Sequence, residues 1–268
     1  MRALLFLWIL LLAAPRGQAG VPFGSGEVIQ FRIGWGLIHA GTSWLRVKDT
    51  LSVRGRLCWE LESEALSNDV ISALYPVRDR VTSLMDVRDL TSRGLSKNLR
   101  EGRYKKDRRF EIDPEAGQIR KIKAGEPVRV ETLAHHVQDV LSAFYWLRTR
   151  PLEVGKVEYV STVDELKNYS LAIKVLAREK VKVKAGEFDC FKVQPVLVGD
   201  GLFKSEGEVF IWLTADERRI PVQMKSKIFI GSISAQMESY TAPLPADLPL
   251  DPAEAERVHQ LARRHLRH

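Results

Sequence analysis

From residue 27 onward the chain is written in period two. In residues 27–33, Ile29, Phe31 and Ile33 fall on one face and Val28 on the other, the signature of a strand with one buried side. The same alternation recurs over 37–48, 56–66, 80–87, 96–104, 108–112, 118–123 and 128–132. After residue 155 it continues over 156–162, 169–177, 179–184, 188–198, 206–213, 222–229 and 232–240. Turn-forming residues separate the runs, as in Asp113-Pro114-Glu115-Ala116-Gly117, Lys184-Ala185-Gly186-Glu187 and Gly199-Asp200-Gly201. Such short spacing predicts antiparallel meanders, not βαβ units.

Some strands are apolar on both faces: Val209, Ile211 and Leu213 alternate with Phe210 and Trp212. They need cover on two sides, which predicts a curved sheet wrapped around something. One segment changes period. Val137, Val140, Leu141 and Phe144 stand at i, i+3, i+4 and i+7, Arg148 and Arg150 follow, and Pro151 closes the run. The fold class expected is therefore mainly β: a single antiparallel open or incomplete β-barrel with one amphipathic helix, 137–148, packed on its concave side. The polar stretch 214–219 before Pro221 is expected to be a corner of the sheet, with Asp216 bonding nearby backbone N–H groups.

The two ends of the chain differ from this body. Residues 1–19 have the layout of a secretory signal peptide: Arg2, an apolar core over 3–14, and small residues to Ala19. Cleavage near Ala19 predicts a periplasmic or secreted protein with a β-rich domain over 20–241. Residues 242–268 form a Pro-rich linker followed by a short basic helix or disordered tail, in which Asp251 has the character of an N-cap and Pro252 of a first helical residue.

Three stretches taken together resemble the bacterial envelope family known as domain of unknown function 3108. They are Gly34-Trp35-Gly36-Leu37-Ile38-His39-Ala40-Gly41, then 139–148 (Asp-Val-Leu-Ser-Ala-Phe-Tyr-Trp-Leu-Arg), then 185–193 (Ala-Gly-Glu-Phe-Asp-Cys-Phe-Lys-Val), the last leading to 211–214 and 219–222. The resemblance spans about residues 25 to 241. It implies an exported β-rich protein of Gram-negative bacteria and transfers no catalytic residue.

Charge and candidate chemistry change the picture in a few places. The chain carries +7, which becomes +5 once Arg2 and Arg16 are removed with the leader. A matching +5 is concentrated in 97–110, where Lys97, Arg100, Arg103, Lys105, Lys106, Arg108 and Arg109 face only Glu101 and Asp107. A charge run of this kind is either a solvated hairpin or a patch for an anionic partner. In an exported protein the partner would be lipid, lipopolysaccharide or an acidic glycan, with peripheral envelope contact, and not nucleic acid. Trp35, Trp44, Trp59, Phe144, Trp146 and Trp212 are candidates to line a cavity for an apolar or amphiphilic ligand. Cys58 and Cys190 are a candidate disulfide, since an oxidising compartment permits one bridge.

Catalytic chemistry has little to stand on. No Gly-x-Ser-x-Gly elbow is present, and the β-rich body holds only His39, His135 and His136. The last two are adjacent, so they read as a polar helix entrance and not as a metal pair. Asp69, Asp79, Glu158, Asp164 and Asp216 lie near strand ends without any pair standing out. No metal or cofactor is expected. The favoured function is a non-enzymatic envelope protein binding an apolar or amphiphilic ligand or an anionic envelope component. The alternatives are an assembly module contacting an anionic polymer and, after it, a glycan- or lipid-acting hydrolase.

Overall fold

A computed structural model describes residues 21–123, 125–134, 136–198, 208–227 and 231–244. The stretch 1–19 expected to be a signal peptide, the turn at 199–201, His135 and the tail beyond 244 lie outside the described residues. Eight strands precede the long helix: β1 (Val28–Trp35), β2 (Ile38–Val53), β3 (Arg56–Ser67), β4 (Arg78–Asp86), β5 (Ser92–Glu101), β6 (Tyr104–Asp113), β7 (Gln118–Ile122) and β8 (Arg129–Thr132). Helix α1 (Asp69–Ser72) sits between β3 and β4, and α2 (Val140–Arg148) follows β8. Then come β9 (Val157–Asp164), β10 (Lys167–Val183), β11 (Gly186–Val198), β12 (Val209–Thr214), β13 (Pro221–Lys227) and β14 (Ser232–Thr241).

All the strands join one sheet in the order β8-β7-β6-β5-β4-β3-β2-β1-β14-β13-β12-β11-β10-β9. Every neighbouring pair is antiparallel. The sheet does not close between β8 and β9, so the expected incomplete antiparallel barrel is the architecture. Alternation of strand direction puts the β1–β2, β3–β4, β5–β6, β9–β10, β11–β12 and β13–β14 connections at one end, called here the upper end. The β2–β3, β4–β5, β6–β7, β10–β11 and β12–β13 connections are at the lower end.

Two departures from the pattern in the sequence have clear causes. Residues 169–177 and 179–184 are one strand, because a bulge between Val175 and Ala177 shifts the register without breaking the ladder. The helix begins at Val140, not Val137. Asp139 caps it, accepting from the N–H groups of Leu141 and Ser142, while the Ser142 hydroxyl accepts from the Asp139 N–H. The same carboxylate also accepts from the hydroxyls of Ser83 and Ser92, each at 2.5 Å, so β4 and β5 fix where the helix starts. Helix α1, a single turn capped by Asn68, has no counterpart among the periodic runs of the sequence.

Helix α2 packs against the concave side. Leu141 and Tyr145 pack with Ile29, Phe31, Trp59 and Met85 in the main core, and Phe23 stacks edge-on against both Trp59 (5.2 Å) and Tyr145 (5.0 Å). Arg148, 1 % exposed, is held by both oxygens of Glu27 at 2.8 and 3.1 Å and by the carbonyls of Pro22 and Arg218. This buried pair pins the C-terminus of the helix to the lower end. Removal of either partner would strand a charge in the core.

Candidate functional site: an apolar groove beside helix α2

The other flank of the helix is not filled. Val140, Phe144 and Leu147 on α2 face Leu171 and Ile173 on β10, Val196 and Leu197 on β11, and Val209 and Ile211 on β12 across a cavity of about 460 Å³. Leu147, Ile173 and Ile211 belong to a second apolar cluster with Val193 and Leu213 that forms its floor. Val140, counted from the sequence among the buried positions of the helix, is 57 % exposed at the groove margin. Among the described residues the polar side chains in the wall are Gln194 and Glu208, and Glu208 pairs with Lys227 at 2.8 Å. Such a wall offers mainly apolar contact, and its one carboxylate among the described residues is tied up in an ion pair. Among the described residues no group of three or more His, Cys, Asp or Glu side chains is placed to hold a metal.

Of the six aromatic residues proposed from the sequence, the structure brings Phe144 to this groove. Trp146 lies partly buried on the same helix, under the Arg150 guanidinium at 5.0 Å. Trp59 is in the main core. Trp212 is buried, its Nε1 donating to Glu179 at 2.6 Å. Trp44 lies beneath the Arg46 guanidinium, 5.1 Å from the ring centroid. Trp35 borders a separate cavity of about 490 Å³ at the upper end, with Tyr75, Ile71 and Ile233. The aliphatic wall is not among the sequence candidates, although one of its strands, β12, carries apolar side chains on both faces.

The basic run is divided by the pleat. Register pairs Leu95 with Phe110, Lys97 with Arg108 and Phe110 with Lys121, so Lys97, Lys106, Arg108 and Lys121 share the inner face with buried Leu95 and Phe110. There they meet the tip of the β9–β10 hairpin. Lys97 pairs with Asp164, and Lys106, Arg108 and Lys121 surround Glu165 at 3.1, 3.5 and 3.6 Å. Burial pushes the Glu165 carboxyl up, but the Lys106 hydrogen bond and the three cations outweigh it and hold the group below its ordinary value. On the outer face Arg100 pairs with Asp107 at 2.8 Å, and Arg109 reaches Glu111 at 4.0 Å. Arg103 and Lys105 are exposed and have no ion pair among the described residues.

The remaining candidates fall into structural roles. Cys58 and Cys190 are buried free thiols on strands that are not neighbours, and each donates to a carbonyl two residues back on its own strand. The candidate bridge is not formed. Burial pushes Cys58 to about 11 and Cys190 to about 12, so neither is a ready thiolate. Asp216 turns the corner as expected, accepting from the Thr214 hydroxyl at 2.6 Å and the Arg218 N–H at 3.1 Å. Glu158 pairs with Arg150 at 3.2 Å. His136 precedes the helix in a left-handed turn, φ 51°, instead of forming its entrance. Asp79 and Glu101 border the same cavity, and burial first, then the neighbouring Asp79, raises the Glu101 carboxyl.

A family model described as "Protein of unknown function (DUF3108)" matches residues 30–238. No curated protein matches the chain. Among solved structures the chain is similar to a β-barrel-like protein of domain of unknown function DUF1849 from Brucella abortus, with 10 % identity and a TM-score of 0.57 over 82 % of this chain and 98 % of that one. That likeness concerns the fold. A candidate exported protein of YmcC-like fold from Bacteroides fragilis aligns over 83 % of this chain and 98 % of its own, with 10 % identity and a TM-score of 0.37. A candidate lipoprotein from Parabacteroides distasonis aligns over 83 % of this chain and 99 % of its own, with 10 % identity and a TM-score of 0.36. Both are too distant to inform this chain.

Proposed function

The chain belongs to the DUF3108 family of proteins of unknown function, and from that premise we propose that it is an exported, non-enzymatic envelope protein that holds an apolar or amphiphilic ligand between α2 and β10–β12. The observation that carries this reading is the groove itself. Its volume of about 460 Å³ lies within the range of about 300–1,000 Å³ usual for small-molecule sites. Its wall is almost wholly aliphatic, so an apolar chain gains from burial there without leaving polar groups unpaired. Leu197 and Val209 line it at the upper ends of β11 and β12 and are only partly buried, an arrangement that would let a polar head remain in water while the tail enters. The leader-like residues 1–19 support export.

Native mass spectrometry of protein isolated gently from its host tests the reading. Lipid-sized adducts are expected on the wild type and are expected to be depleted in Val140→Glu, which sets a charge at the mouth of the groove. A bare mass for the wild type, or an identical adduct profile in the variant, contradicts it.

A further inference from the structure

We propose that the upper end of the barrel docks on a bilayer surface bearing anionic headgroups. The proposal goes beyond the groove and does not depend on the groove holding a ligand.

Several large apolar side chains are presented to water at this end. Leu37, on the β1–β2 turn, is 105 % exposed, and Ile38 beside it is 55 % exposed. The β3–β4 connection adds Val70, Leu74 and Tyr75, with Leu74 87 % exposed. Trp35 and Ile233, paired across β1 and β14, are also open to solvent. Single exposed apolar residues are ordinary, but a group of them at one end marks a surface that something covers.

These tips are held together, not frayed. The Asn68 side chain caps α1 and donates to the His39 carbonyl at 2.6 Å, and the Asn68 N–H donates to the Ala40 carbonyl. The β5–β6 turn joins them: the Gly102 N–H donates to Pro76, and a Cβ at Gly102 would meet the Tyr75 ring at 2.7 Å.

Charge chooses the occupant. That same turn carries Arg103 and Lys105, and Arg78 stands at the start of β4; all three are exposed without an ion pair among the described residues. Opposing them is exposed Asp69, while Asp79 and Glu101 are part-buried in the cavity behind. Among the described residues at the water-facing rim, three cations stand against one exposed carboxylate around apolar tips that include a Trp and a Tyr. That combination suits the headgroup layer, where aromatic side chains sit at the interface and each cation near anionic lipid adds about 1 kcal/mol. Leu197 and Val209 of the groove lie at the same end, so a docked molecule would face the source of an amphiphile.

Co-sedimentation of the host-processed protein with phosphatidylglycerol-containing vesicles and with pure phosphatidylcholine vesicles tests this. The wild type is expected to sediment with the anionic vesicles, and less so as salt rises. Leu37→Glu with Leu74→Glu, both outside the core, should weaken partition by roughly ten-fold or more. Arg103→Glu with Lys105→Glu should weaken it by roughly five-fold per residue at low salt. Brominated lipid should quench the wild type more than Trp35→Phe. Failure of the wild type to sediment with either vesicle overturns the proposal. So does a Leu37→Glu/Leu74→Glu protein that sediments like the wild type, since the contact would then lie elsewhere, for instance on the basic tail or a protein partner.

Discussion

The two flanks of helix α2 meet the same problem, a sheet too long to cover its own concave face, and resolve it differently. Beside β5–β7 the space is closed. The β9–β10 tip enters it, Leu166 joins Leu95, Phe110, Ile119 and Val137 in an apolar cluster, and Asp164 and Glu165 neutralise the inner cations. Beside β10–β12 the space stays open as an aliphatic groove. The closed side even tolerates strain: Glu165 and Leu166 both have left-handed backbones, φ 47° and 70°, in a two-residue turn that ordinarily favours Asn-Gly. Residues that strain the chain in order to pack are expected to serve the fold. A groove left unfilled, next to a helix that could have filled it, is expected to serve a ligand.

Substitutions should separate the two flanks. The largest effect is expected at the anchor common to both: Arg148→Met leaves Glu27 buried without its partner and should cost about 3–5 kcal/mol in chemical denaturation. Next, Leu166→Ala should cost about 2–3 kcal/mol by removing the tip from its cluster while leaving ligand retention in the groove intact. Glu165→Gln should cost about 1 kcal/mol or less, because the pair is partly solvated. The folded carboxyl of Glu165 is held below its ordinary 4.5, so its contribution is present above that pH and lost as pH falls through the folded value. The wild type should therefore lose more stability than the Gln variant on acidification below 4.5. Smallest in stability is Val140→Glu, expected within about 0.5 kcal/mol of wild type because the residue is exposed, yet it should deplete the ligand.

Most of the sheet was legible because period two is a local property, and each strand from β1 to β14 left a run or part of one in the sequence. The bulge after Val175 concealed the continuity of β10, since a register shift resembles a break. The start of α2 was misjudged because Val137 happens to stand three residues before Val140, although its side chain belongs to the cluster around the β9–β10 tip. The charge run was plain, but its division into a clamped inner set and an open outer pair depends on a hairpin more than fifty residues away in sequence. For the groove, the two-sided apolar strand at 209–213 is the feature visible in the sequence, and of the named aromatic residues Phe144 is the one that lines it. A tryptophan large enough to line a cavity is also large enough to fill the core, and Trp59 does so.

The central claim, that the open flank is a ligand site and the closed flank is not, is tested most directly by titrating delipidated protein with a single-chain amphiphile while recording amide NMR shifts. The account predicts saturable shifts along α2 and β10–β12, centred on Phe144, Ile173 and Val209, with β5–β7 unmoved. Shifts that fail to saturate, or that centre on Leu95, Phe110 and Ile119, would contradict it.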